Sequence, residues 1–431
     1  MGAHHPRHAA PGTAEASSPR VRRLALAVVV PLALVTLGCL VWLWPGSLPG
    51  PDTPGSLEQV EGVVTAVSVE QCPESAATGG TTPDPAADPA ADPSADPASG
   101  AGGAAAASTC GTATVRLTSG ADDGLEVETP LPTGAGAVEV GEGDDVLLVE
   151  LGAARDPDGS VDESAPPSYS IVDRQRGTGL AVLVGAFALA VVAFGRLRGL
   201  TALLGLGVTF GLLVWFVVPA ILAGESPLLV AIVGSAAIVL TVLYLTHGPS
   251  LSTTVAVVGT IAALTLTGLL SALSVAVLGL TGVSDDLSSS LGTTYGVNVQ
   301  GVLLAGIVIG SLGVLDDVTV TQAATVEEIA RANPGYGARE LYRAATRVGR
   351  SHIASVINTI VLAYAGSALP LLILVVATDD PLGDVVTDQV IAQEVVRSVV
   401  ATFGLMAAVP ITTALAALAV REARSGSGRL A

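Results

Sequence analysis

No lysine occurs among the 431 residues, and all 19 basic positions are arginine. That bias accompanies the Ala-, Gly- and Val-rich composition of a high-GC genome and identifies no function. Against 38 acidic residues the arginines leave a net charge of -19, which argues against nucleic acid as a partner, because that needs a basic surface. The cysteines are only Cys39, Cys72 and Cys110, without CxxC or Cys/His spacing, so they imply no metal site. No HExxH, GxSxG or Walker loop is present, so no enzyme activity, catalytic residue or cofactor is expected.

What is present is apolar. Hydrophobic residues make up 50% of the chain and charged residues 13%. Apolar runs recur at the length needed to cross about 30 Å of hydrocarbon. The first, 24–44, follows Arg20, Arg22 and Arg23 and is not followed by an A-x-A cleavage site. It is read as a retained span, with a signal peptide as the alternative. Further runs lie at 180–194, 200–222, 228–245, 254–280, 299–315, 353–377 and 395–420. The expected fold is therefore an all-α polytopic membrane protein of about eight transmembrane helices. Residues 180–420 form its seven-helix membrane domain, and 1–23 and 421–431 are its tails.

With the N-terminus inside, most arginines fall on the cytoplasmic side, while Arg116, Arg155, Arg174, Arg176 and Arg397 fall outside. The positive-inside rule then puts both termini in the cytoplasm. Residues 50–178 lie outside as a small β-barrel-like domain. Their pattern has period two in "VEGVVTAVSVE", "TATVRL", "LEVET", "DDVLLVEL" and "YSIVDRQR", about five or six strands, with Gly120, Gly124, Gly141 and Gly143 at turns. Inside it, residues 75–108 hold the repeat "DPAADPAADPSADPAS" and read as a disordered loop, because proline every few residues leaves nothing to pack. Cys72 and Cys110 flank that loop in an oxidising compartment and are a candidate disulfide, two free thiols being the alternative.

Three C-terminal stretches carry a resemblance. "LGVLDDVTVTQAATVEEI" is similar to the glycine, aspartate-valine, small-polar and glutamate pattern of the YibE/F family of bacterial multi-pass membrane proteins. On that match Asp317 takes the family aspartate and Glu328 its glutamate, while Asp316 stands where the family more often has an apolar residue. "GRSHIASVINTIVLAYAGSALPLLIL" resembles the family through Asn358, Thr359, Tyr364, Gly366 and Pro370, and "IAQEVVRSVVATFGLMAAVPITT" through Glu394, Arg397, Gly404, Pro410 and Thr412. The resemblance implies a bacterial cell-membrane protein and, loosely, a permease-like role.

The two aspartates at the end of the 299–315 run open a cytoplasmic loop, 316–352. One reading makes an aspartate the N-cap of an interfacial helix, 318–332, ended by Pro334-Gly335. The other uses helical spacing: Asp317, Thr321, Ala324 and Glu328 recur on one stripe, with Gln322 and Thr325 close by and Asp316 about 100° away. Such a stripe could coordinate a hard cation of unknown identity or relay protons. Asn358 and Thr359 lie at a similar depth, and Asn358 either partners Asp317 or ties two helices together. Glu394 and Arg397 read as an i, i+3 ion pair, and Gly306 and Gly310 as a close-packing step.

Two functions are carried forward. The first is a permease-like transporter of a small solute or ion, whose polar site comprises Asp317, Thr321, Gln322, Glu328, Asn358 and Thr359. The second is a non-transporting membrane scaffold or sensor whose outer domain binds something. In either case the bilayer is a partner, and the arginine-rich loop 331–350 suits anionic lipid or a protein partner. The absence of carboxylates from the middle of the second to fifth spans weakens the transporter reading without removing it.

Overall fold

The structure, a computed structural model, describes residues 19–46, 59–71, 109–133, 137–151, 168–377 and 382–427. The chain divides into two compact units, residues 51–188 and residues 1–50 together with 189–431.

In the smaller unit the period-two segments become β1 (Gln59–Gln71), β2 (Thr109–Leu117), β3 (Glu126–Pro130), β4 (Asp145–Glu150) and β5 (Tyr169–Arg174). They pair antiparallel in the order β3-β2-β1-β4-β5. Alternate side chains, Val60, Val64, Val115, Leu117, Val146 and Leu148, turn inward and are buried, as a pleated strand requires. β1 carries a register shift between Val64 and Ala66, the kind of bulge that bends a strand. The sheet curls until its edges meet: the buried Thr129 hydroxyl of β3 donates to the Tyr169 carbonyl of β5 at 2.8 Å. Gly120, Gly124 and Gly143 sit at turns with φ of +90°, +88° and +85°, which only glycine adopts freely. Cys110 is disulfide-bonded and Cys39 is free. Cys72 and most of the expected loop, 75–108, lie outside the described residues.

The larger unit is helical. Its elements are α1 (Pro19–Trp42), α3 (Leu197–Leu212), a π-helical turn (Leu213–Val217) running into α4 (Val218–Leu222), α5 (Pro227–His247), α6 (Leu251–Leu278), α7 (Asp286–Tyr295), α8 (Val299–Ala332), α9 (Ala338–Ser367), α10 (Leu369–Ala377), α11 (Leu382–Thr387) and α12 (Gln389–Ser427). α2 (Gly177–Gly195) carries the chain from one unit into the other. Among the described residues seven helices are long and apolar enough to cross a bilayer: Ala25–Trp42, Gly177–Gly195, Leu197–Leu222, Pro227–His247, Leu251–Leu278, Val299–Ala332 and Gln389–Arg424. The expected span 353–377 is not among them. It is divided between α9, whose first half carries four arginines, and α10, and the helix breaks at Ala368, two residues before Pro370.

α5, α6, α8, α9 and α12 share one core, which includes Leu243, Leu264, Leu315, Val326, Leu341, Ile360 and Leu405. α8 corrects the sequence reading. It runs unbroken for 34 residues, about 51 Å at 1.5 Å per residue. Asp316 and Asp317 therefore lie inside a helix, and neither caps one. The separate interfacial helix 318–332 does not exist, because nothing between Leu315 and Ala332 interrupts helical hydrogen bonding; the stop comes at Asn333-Pro334 as expected.

Candidate functional site

The stripe expected on α8 is present, but it faces away from the bundle. Asp317, Thr321, Ala324 and Glu328 are all exposed, and Glu328 is taken up by Arg331 at 2.7 Å, beside a Glu327–Arg331 pair at 2.5 Å. Asn358 and Thr359 are exposed as well, and the Thr359 hydroxyl donates to the Ser355 carbonyl at 3.2 Å. No hydrogen bond joins Asn358 to Asp317 among the described residues. Thr359 does help line a cavity of about 200 Å³ between α8, α9 and α12, with Gly310, Ser311, Tyr364 and Ala401. Glu394 and Arg397 form an i, i+3 ion pair at 3.0 Å.

The inward side of α8 is where the polar chemistry lies, and two sequence-selected residues belong to it. Gln322, only 3% exposed, donates through Nε2 to the Ala345 carbonyl of α9 at 3.0 Å and to the Thr413 hydroxyl of α12 at 2.7 Å. Asp316, the residue set about 100° off the stripe, turns into the bundle. Its Oδ1 is enclosed and has no hydrogen-bond partner among the described residues. One turn further along, Thr319 is fully buried. Its hydroxyl lies 3.0 Å from the Asp316 carbonyl oxygen and 2.6 Å from the Thr260 hydroxyl of α6.

α6 supplies residues that were not selected from sequence. Thr253, Thr260, Thr267 and Ser271 are buried on one face. The first three repeat every seven residues, a spacing that keeps a helix face, and the row from Thr253 to Ser271 is about 27 Å long at 1.5 Å per residue. That period was legible but carried no charge to draw attention.

α6 and α12 also share a nine-residue pattern, "GTIAALTLT" at 259–267 and "GLMAAVPIT" at 404–412, with glycine, two alanines and threonine in common. The helices cross antiparallel so that each glycine seats the other's threonine. A Cβ at Gly259 would collide with the Thr412 hydroxyl, and one at Gly404 with that of Thr267. Ala263 and Ala408, the middle residues of the two copies, are completely buried. A third seat, Gly349 on α9, lies against Gln322 and Val409, with a Cβ there only 2.6 Å from Gln322 Oε1. Close packing therefore falls at Gly259, Gly404 and Gly349 instead of the expected Gly306-Gly310 step, since a Cβ at Gly306 would meet nothing within 4 Å among the described residues. The Thr412 hydroxyl is buried and has no hydrogen-bond partner among the described residues.

These contacts fix the level of Asp316. Counting from the Thr260–Thr319 contact along the antiparallel α6–α8 pair puts Ala263 opposite it. Counting from Gln322–Thr413 along the parallel α8–α12 pair puts Ala407 there. Asp316 thus stands level with the centre of the duplicated crossing, between Thr260 and Thr267 on the α6 row.

A bundle of long apolar helices with a buried hydroxyl row and one inward carboxylate defines a multi-pass membrane protein with a polar seam. Residues 183–422 match the family described as YibE/F-like protein, and the chain belongs to that family. The strands of the smaller unit lie outside the matched residues. Comparison with curated proteins and with solved structures gives no match.

Proposed function

We propose that the protein is a permease-like transporter of a small solute or ion in the bacterial plasma membrane, with Asp316 as the working group of its pathway. The observation that carries this reading is the enclosed Asp316 carboxylate oxygen on α8, which has no hydrogen-bond partner among the described residues. An ionisable group inside an apolar bundle is expensive, and proteins keep one there mainly for ion or substrate handling. A carboxylate serving only packing would have acquired a hydrogen-bond partner or been replaced by an apolar residue.

The reading takes the chain as eight spans with both termini cytoplasmic. Supporting an eighth span, α9 lies antiparallel to α12 over most of its length. Gly349 meets Val409 at one end, and Thr359 and Tyr364 share a cavity with Ala401 and Leu405 at the other. A helix packed along a spanning helix in this way spans with it. The arginines at 339–350 then fall on the same side as Arg421 and Arg424, consistent with the positive-inside rule, where they would face anionic lipid or a protein partner. No enzyme activity is assigned.

The alternative, a non-transporting scaffold or sensor, is favoured by one feature of the smaller unit: an open cleft of about 810 Å³ with Glu139, Asp145, Arg174 and Arg176 among its lining. Reconstitution separates the two. The transporter reading expects proteoliposomes to move at least one of a panel of inorganic ions and small solutes faster than empty liposomes, with the excess lost in Asp316→Asn. No excess across the panel would favour the scaffold.

A further inference from the structure

The cavity between α8, α9 and α12 has a lining that selects its occupant. We propose that it binds a small uncharged organic molecule, an apolar body bearing one oxygen, which enters from the hydrocarbon of the bilayer and accepts a hydrogen bond from Tyr364. The site goes beyond the transporter reading and stands whether or not the molecule is carried across.

Size sets the scale of the occupant. The cavity holds about 200 Å³, more than the roughly 150 Å³ that takes a benzene molecule and less than the roughly 300 Å³ at which drug-sized ligands begin. One ring with a short substituent fills it.

The walls exclude charge. Val314, Leu315, Ile360, Ala363, Ala401 and Leu405 make most of the lining hydrocarbon, and no aspartate, glutamate, arginine or histidine lines the cavity. Asp316 and the Glu394–Arg397 pair at 3.0 Å stand outside the lining. An ion in this space would lose its hydration with nothing of opposite charge to replace it, so the occupant is neutral.

The hydroxyls ask for one oxygen. Ser311 donates to the Val308 carbonyl at 2.9 Å and Thr359 to the Ser355 carbonyl at 3.2 Å. Both protons are thus committed to their own helices, and the two groups offer the cavity only lone pairs. The Tyr364 hydroxyl makes no hydrogen bond among the described residues and reaches across toward α8, where a Cβ at Gly310 would lie 3.4 Å from it. A free donor facing two acceptors suits a carbonyl or hydroxyl oxygen, which the hydrocarbon of an acyl chain lacks.

The rim gives the route of entry. Gly310, Thr359 and Ala363 are exposed. α8 begins at Val299, and Gly310 lies about 17 Å along it at 1.5 Å per residue, well inside a hydrocarbon layer of about 30 Å. A molecule arriving at that depth comes through lipid.

The test is binding by the full chain in lipid nanodiscs, followed by fluorine NMR with two probes that differ by one hydroxyl, 4-fluorobenzyl alcohol and 4-fluorotoluene. Ala363→Leu fills the cavity from its rim and reports probe dissolved in the lipid alone. Wild type should show a saturable component for both probes that is missing in Ala363→Leu, and none for the anion 4-fluorobenzoate. Tyr364→Phe keeps the ring and removes a hydroxyl without a partner, so its thermal stability should match wild type. Its affinity for the alcohol should fall about fivefold, as for one neutral hydrogen bond, with affinity for the toluene unchanged. No saturable component in wild type, the result expected if an acyl chain already fills the cavity, overturns the proposal. A component that persists in a stably folded Ala363→Leu does the same. Equal loss of both probes in Tyr364→Phe, or loss of neither, overturns the role of the hydroxyl even if Ala363→Leu fails to fold. Saturable binding of the benzoate overturns the neutral class. None of these readouts is a flux, so a failure of transport in the reconstitution above leaves the site standing.

Discussion

Gly349→Ala and Gln322→Ala, singly and together, probe whether the α8–α9–α12 seam is seated as described. A methyl at Gly349 would lie 2.6 Å from Gln322 Oε1 and 2.7 Å from Val409 Cγ1, both too close, so something must shift. Overpacking of that kind costs about 1–3 kcal/mol, offset by up to about 1 kcal/mol from the better helix propensity of alanine. Gln322→Ala removes hydrogen bonds of 3.0 and 2.7 Å. At about 0.6–1 kcal/mol each between membrane helices, plus the void left by a buried side chain, the loss is roughly 2–3 kcal/mol. In the double variant the new methyl moves into the space of the missing amide, and only the Val409 contact remains. The propensity contribution cancels in the cycle, so the two changes should couple favourably by about 1–2 kcal/mol. Unfolding of the four proteins in detergent, by denaturant titration, measures it. Additivity within about 0.5 kcal/mol would mean the amide does not occupy the glycine seat.

Two further outcomes are expected. A cysteine engineered at Gly335 should react with membrane-impermeant reagents only from the cytoplasmic face; labelling from outside would remove the eight-span arrangement. Asp285 caps α7 by accepting from the Ser288 backbone at 2.7 Å, and the Ser288 backbone and hydroxyl hold its carboxyl below the usual carboxylate range. A lowered value means a stabilising contribution present above the unfolded carboxylate range and lost as pH falls through the folded value. Protection of amides 286–290, corrected for the intrinsic pH dependence of exchange, should therefore fall selectively in acid, and Asp285→Asn should abolish that loss while keeping the cap.

The parts of the fold that follow local period were legible. β1 to β5 fall on the alternating segments because burying one sheet face demands alternation, and most spans fall on apolar runs because hydrocarbon demands them. Where tertiary packing decides, sequence reasoning failed. Spacing put Asp317, Thr321 and Glu328 on one stripe, but spacing cannot say whether a stripe looks inward. Asp316, 100° around, is the carboxylate with an enclosed oxygen. Charge also misled at the end of the 299–315 run. Two aspartates resemble a membrane boundary, yet α8 continues because its neighbours continue beside it. The duplicated nonapeptide and the threonines of α6 were readable as repeats, but their meaning depends on the antiparallel crossing that puts glycine against threonine.

The claim that the inward aspartate is the working one is tested most directly by growth of a deletion strain complemented with Asp316→Asn or Asp317→Asn at matched membrane levels, across a range of pH and salt. Both substitutions keep side-chain shape and remove one charge. The account predicts that Asp317→Asn restores wild-type growth wherever the deletion is impaired and that Asp316→Asn, although folded and inserted, does not. Rescue by Asp316→Asn with failure of Asp317→Asn, or equal rescue by both, would contradict it.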